Sequence, residues 1–120
     1  MSRAVVKGRV EGRWRITSTD LWDVDAIELM GPACIEFEAG GSGWLRLIAV
    51  EGLIDWRRGV VGGRGRVEFT WDGDDEGDRV NGRGWAEVVQ DVLRGHIFFH
   101  LGDDSGFRAV RDPSIAGDGR

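Results

Sequence analysis

A chain of 120 residues is the size of one domain with a real core, and a net charge of −5 does not make the basic footprint that a phosphate backbone requires, so nucleic acid is not an expected partner. Gly 20, Pro 2 and Trp 6 describe a turn-rich chain with bulky aromatics, while 41% hydrophobic and 31% charged residues argue against global disorder. The lone cysteine, Cys34, forms no internal bridge, residues 1–7 lack the apolar run of a signal peptide, and no segment approaches a membrane span. The expectation is a single cytoplasmic domain over 1–120, ordered over about 4–111, with 112–120 as a loose tail and no membrane contact.

Positions 4 to 16 alternate. Ala4, Val6, Gly8, Val10, Gly12, Trp14 and Ile16 fall on one face, and Lys7, Arg9, Glu11, Arg13 and Arg15 on the other. Period two predicts a strand with Trp14 turned to a core, broken or bulged at Gly8 or Gly12. Ser18, Thr19 and Asp20 then offer N-cap oxygens to a helix beginning near Leu21. Trp22, Ala26, Leu29 and Met30 form its apolar stripe, and Gly31-Pro32 stops it.

The remainder reads as strands separated by glycine. Ala33–Ala39 is followed by Trp44–Val50 and Leu53–Arg58, joined at Glu51-Gly52. That register sets Leu47 against Trp56 and Ala49 against Ile54, with Arg46 and Arg57 paired on the outer face. After a loop at Gly59–Gly65 come Arg66–Trp71, the acidic stretch Asp72–Asp78, Gly84–Gln90, Leu93–Leu101 and Gly106–Arg111. A turn at Asp91-Val92 sets Ala86 against Ile97, Trp85 against Phe98 and Glu87 against His96. About eight strands with short connections predict an all-β antiparallel meander that closes into an up-and-down barrel with one short helix after the first strand. An open or sandwich-like sheet capped by the helix is the competing architecture.

Few residues are arranged for chemistry. His96 and His100 share one face but lie about 13 Å apart at strand rise, too far to hold one metal together. Asp72–Asp78 resembles the front of a calcium loop, but the position for its bidentate carboxylate falls on Arg83, so a solvated hairpin tip is expected. Ser105 with His100 and Asp103 or Asp104 lacks an activating frame and reads as turn chemistry. Trp14, Trp22, Trp44, Trp56, Trp71 and Trp85 either line a ligand cavity or fill the interior. No metal, cofactor or catalytic residue is expected.

Gly12-Arg13-Trp14 followed by a helix resembles the opening of calycin barrels, the lipocalins, fatty-acid-binding proteins and avidins. The resemblance implies an arginine of the last strand, Arg108 or Arg111, packed near Trp14 to close one end. The Arg-x-Tyr pair that holds a fatty-acid carboxylate is absent, because the chain has no tyrosine. The stretches Trp22-Asp23, Phe69-Thr70-Trp71-Asp72-Gly73, Asp75-Glu76, Gly82-Arg83-Gly84-Trp85 and Phe99–Ser105 are similar to a family of short, uncharacterised bacterial proteins, which implies no activity. Together these readings predict non-catalytic binding of a small, partly apolar molecule inside the barrel. Trp14, Trp56, Trp71 and Phe99 would be its walls, with Arg108 or Arg111 at the closed end. The alternative is an interaction scaffold with a solid core and an exposed apolar face; a hydrolase is the third reading.

Overall fold

The computed structural model describes residues 9–61 and 64–112. The expected tail from 113 onward, the alternation over residues 4–8 and the break at Gly8 lie outside the described residues. Eight strands, β1 (Gly12–Thr19), β2 (Cys34–Phe37), β3 (Ser42–Leu47), β4 (Val50–Val61), β5 (Arg64–Asp75), β6 (Asp78–Val89), β7 (Val92–Phe99) and β8 (Asp104–Arg111), pair antiparallel in chain order. β8 returns to pair with β1 and closes the barrel. Gly12 begins β1 with φ +121°, so the chain does break there.

The alternation read from the sequence is what fills the inside. Trp14 and Ile16 of β1, Ile35 and Phe37 of β2, Leu45 and Leu47 of β3, and Val67, Phe69 and Trp71 of β5 all point inward and join one contiguous core. β6 makes room for them: Gly82, Gly84 and Ala86 stand opposite Trp71, Phe69 and Val67 on one side and Phe99, Ile97 and Gly95 on the other. A Cβ placed on Gly84 would sit 2.5 Å from Phe69 Cζ, and one on Gly95 would sit 2.6 Å from Phe107 Cζ. Rings therefore lie directly over glycines, large against small, and the interior is built by interdigitation.

Both hairpin registers differ from those predicted. The β3–β4 turn is Ile48-Ala49, so Leu47 meets Val50 and Trp44 meets Leu53. Arg46 consequently faces Glu51, at 3.1 Å, and not Arg57. Gly52 is an inward strand residue opposite Gly73, not a turn residue. The β6–β7 turn is Gln90-Asp91, which sets Ala86 against Gly95, Trp85 against His96 and Glu87 against Arg94. Both slips are by an even number of residues, which preserves the face each side chain occupies. β4 and β5 also run on to Val61 and from Arg64, where a longer loop was expected.

The helix is shorter than its pattern. α1 spans Val24–Ile27, capped by Asp23, whose Oδ1 accepts from Ala26 N at 2.9 Å. Thr19 does not cap the helix: its Oγ1 accepts from Trp22 N at 2.9 Å and makes a local turn. Helix growth ends because the Ile27 carbonyl accepts from Ile48 N at 3.0 Å, while Gly31 N reaches back only to Glu28 O. The buried anchor is Ile27, and the predicted stripe residues Leu29 and Met30 are exposed instead.

Candidate functional site

Strand direction sorts the connections between the barrel's two ends. The β1–β2 connection with α1, and the β3–β4, β5–β6 and β7–β8 turns, emerge at one end, here the helix end. The far end carries the β2–β3, β4–β5 and β6–β7 connections, together with the start of β1 and the finish of β8.

The far end is where Trp14 and Arg111 meet. The indole is fully buried, its Nε1 donates to Val10 O at 2.8 Å, and the Arg111 guanidinium lies 4.0 Å from the ring centroid. Arg111 Nη1 donates to Glu11 O at 2.7 Å, tying β8 to the approach to β1. The closing arginine is therefore Arg111. Arg108, the other candidate, is exposed on the outer face opposite Arg94 and takes no part in closure.

Glu11 completes this corner, bonded by Arg9 and Arg58. Burial pushes its carboxyl up, but the bonds from Arg9, its own backbone amide and Arg58 outweigh that and bring its pKa from 4.5 down to about 2. A depressed carboxyl contributes stability that is present above its unfolded pKa and lost as pH falls through the folded one. The stability difference between wild type and Glu11→Gln is thus expected to be full at pH 6 and to vanish between about pH 4.5 and pH 2 in urea titrations. A difference that stays constant over that window would exclude the corner as its source.

The other expected wall residues pack edge-on against neighbouring aromatic rings. Trp56 packs edge-on to Phe37 at 5.8 Å, and its Nε1 donates to Ser42 O at 2.8 Å. Trp71 packs edge-on to Phe99 at 4.9 Å, and Phe99 to Trp22 at 6.0 Å, which ties the core to the segment before α1. Trp44 and Trp85 face outward: Trp44 Nε1 donates to Glu36 at 2.7 Å, and Arg66 lies 3.8 Å over the Trp85 ring. An open groove of about 410 Å³ lies on the outer face of β4–β7, where Asp55 and Glu68 balance Arg57 and Arg83 beside Trp85 and Phe98.

The chemical candidates are used structurally. Ser105 is buried, accepts from the backbone N–H groups of Asp20 and Leu21 at 3.1 Å each, and donates to Gly106 O at 2.8 Å. It holds down the segment leading to α1. His96 does not pair with Glu87 as expected; its Nε2 meets Asp104 Oδ2 at 2.5 Å. In the acidic tip, Asp74 Oδ2 accepts from Gly77 N and Arg79 pairs with Asp72 at 2.8 Å. Among the described residues no group of three or more His, Cys, Asp or Glu gathers around a common point.

The helix end holds what the sequence reading did not anticipate. Leu21 is 52% exposed, Val24 49%, Leu29 61%, Met30 53% and Leu101 95%. Leu101 follows Phe99, whose ring touches Trp22, so this loop borders the segment that carries Leu21 and Val24. The stripe signal was present at Leu29 and Met30; its direction was not, because the residue between the stripe positions, Ile27, took the buried place.

No family model matches the chain, and no curated protein or solved structure is detectably similar to it. The barrel itself, eight antiparallel strands in chain order with a helix after the first, is compatible with a calycin-like fold. No helix among the described residues is long and apolar enough to cross a membrane.

Proposed function

We propose that the chain is a non-enzymatic interaction module: a filled, calycin-like barrel that presents the apolar surface of its helix end to another protein. The single observation that carries this reading is the run of exposed Leu21, Val24, Leu29 and Met30 within ten residues of a one-turn helix. Exposed large apolar groups gathered in one place are a common sign of an interaction surface. The fold is held elsewhere, by Trp14, Phe37, Leu45 and Leu93, so the helix end is available for recognition at little cost to stability. Kinship with the short bacterial proteins, a cytoplasmic address and the calycin assignment belong to the same proposal. The kinship draws on the motifs around Phe69–Gly73 and Phe99–Ser105, and the calycin assignment on the barrel.

Replacing Leu29 and Met30 with serine together is expected to change unfolding free energy by no more than about 0.5 kcal/mol per site, as for other surface positions. The same variant should fail to retain proteins that the wild type retains from a lysate of its source cells. Identical retention by both would remove this face from the function.

A second reading, burial of a small, partly apolar molecule, draws support from one group. Trp71 is 2% exposed, and its indole N–H, beside Phe99, has no acceptor among the described residues. A carbonyl or hydroxyl of a ligand would satisfy it. Native mass spectrometry of the protein as purified tests this: an added, dissociable mass supports it and a bare chain mass does not.

A further inference from the structure

We propose that the segment docking on the helix end is a cationic amphipathic helix of a partner protein, its apolar side on Leu21, Val24, Leu29 and Met30 and its lysines or arginines on the carboxylates around them. This inference rests on the reading of the helix end as an interaction surface and adds the chemistry of the occupant.

Charge complementarity selects that occupant. The segment from Asp20 to Met30 holds Asp20, Asp23, Asp25 and Glu28 and no cation. Of these, Glu28 alone has an ion pair among the described residues, with Arg15 at 3.0 Å. Carboxylates continue on both sides, and Arg46, whose guanidinium lies beside Gly31, is paired with Glu51. The Ile27–Ile48 backbone bond joins α1 to the β3–β4 turn, and Val50 pairs in register with Asp75 at the tip of β5. Beyond Leu101 the β7–β8 loop adds Asp103, while Asp104 at the start of β8 is bonded to His96. Apolar side chains set beside Asp20, Asp23, Asp25 and Asp103, which have no ion pair among the described residues, match a helix with leucine-like residues on one side and lysine or arginine on the other.

The same charges argue against the other occupants. A second copy placed face to face would set carboxylates against carboxylates, and an anionic lipid surface would be repelled. A second copy placed head to tail would offer its far end, where Arg9 and Arg58 are bound to Glu11, Arg13 to Glu36 and Arg66 to Glu87. Those cations are already compensated.

The test is titration of the full chain, followed by tryptophan fluorescence and calorimetry, with three probes. They are an amphipathic lysine–leucine peptide, a glutamate–leucine peptide of the same pattern, and vesicles containing phosphatidylserine. The lysine–leucine peptide is expected to bind at one site, about tenfold more weakly when salt is raised tenfold, and to lose comparable affinity to Asp25→Asn/Asp103→Asn. Leu29→Ser/Met30→Ser should weaken it as well, without any change of charge. Equal binding of the glutamate–leucine peptide, binding to the vesicles in its place, or a concentration-dependent dimer by light scattering would each overturn the cationic partner while leaving the helix end as the interface. No binding of the lysine–leucine peptide has the same meaning where the Leu29→Ser/Met30→Ser variant still loses retained proteins. Undiminished binding of that peptide by the Leu29→Ser/Met30→Ser variant would overturn both.

Discussion

Trp14→Ala is expected to destabilise the barrel by about 3–5 kcal/mol, a large part of the stability of an ordinary domain. Three losses coincide. The cavity left by a fully buried indole opens between β1, β2 and β8; Val10 O loses its donor; and the Arg111 guanidinium loses the ring it covers at 4.0 Å. Trp14→Phe separates these terms, because it keeps a ring face for Arg111 and removes the N–H, at an expected cost nearer to about 1–3 kcal/mol. Trp44→Ala is the comparison on the outer face, where the indole is half-exposed and bonded to Glu36; its loss should cost about 1 kcal/mol. Urea midpoints measured side by side decide it. Equal midpoints for Trp14→Ala and Trp44→Ala would mean that the far end of the barrel is not anchored by this tryptophan.

Gly84→Ala is expected to cost about 1–3 kcal/mol or more, although alanine is ordinarily the smallest change a strand can meet. The added methyl would lie 2.5 Å from Phe69 Cζ and 2.5 Å from His96 O, one a ring locked in the core and the other backbone of the neighbouring strand. Neither retreats freely. Phe69→Leu in the same chain should relieve the ring clash and not the carbonyl clash, so the double variant should be more stable than the sum of the two single costs predicts. Strict additivity in denaturant unfolding would count against direct contact between the two positions. Gly59→Ala serves as the control, since its nearest neighbour would be Arg66 O at an ordinary 3.8 Å.

These positions also show what was legible in the sequence. Trp14 could be placed from alternation alone, because a period of two forces the face once one residue is assigned inward. The same parity explains why the core was read correctly through wrong hairpin registers. Gly52 was the source of the β3–β4 slip: a glycine serves a turn and a close approach of a ring equally well, and only the partner strand distinguishes them. The Ile48 turn had no signal at all. A β-branched residue at φ 60° contradicts local preference, and it is held there by the buried Leu47 and Val50 beside it and by the bond to Ile27 O. The helix end was hidden for a related reason. Its short α1 is cut by a backbone bond from a distant turn, and a stripe on a helix does not say which way the helix faces until that bond is known.

The pairing of β8 with β1 constrains how anything can attach to this protein. Around the waist of the barrel each strand already has a hydrogen-bonded neighbour on both sides, so an incoming peptide finds no open ladder there to extend. Recognition at that level must be read by side chains, whose order is fixed by the sequence, and not by backbone groups, which are the same in every peptide. A partner would then be chosen by the identity of its residues, and the surface would discriminate between sequences that a bare sheet edge would accept alike.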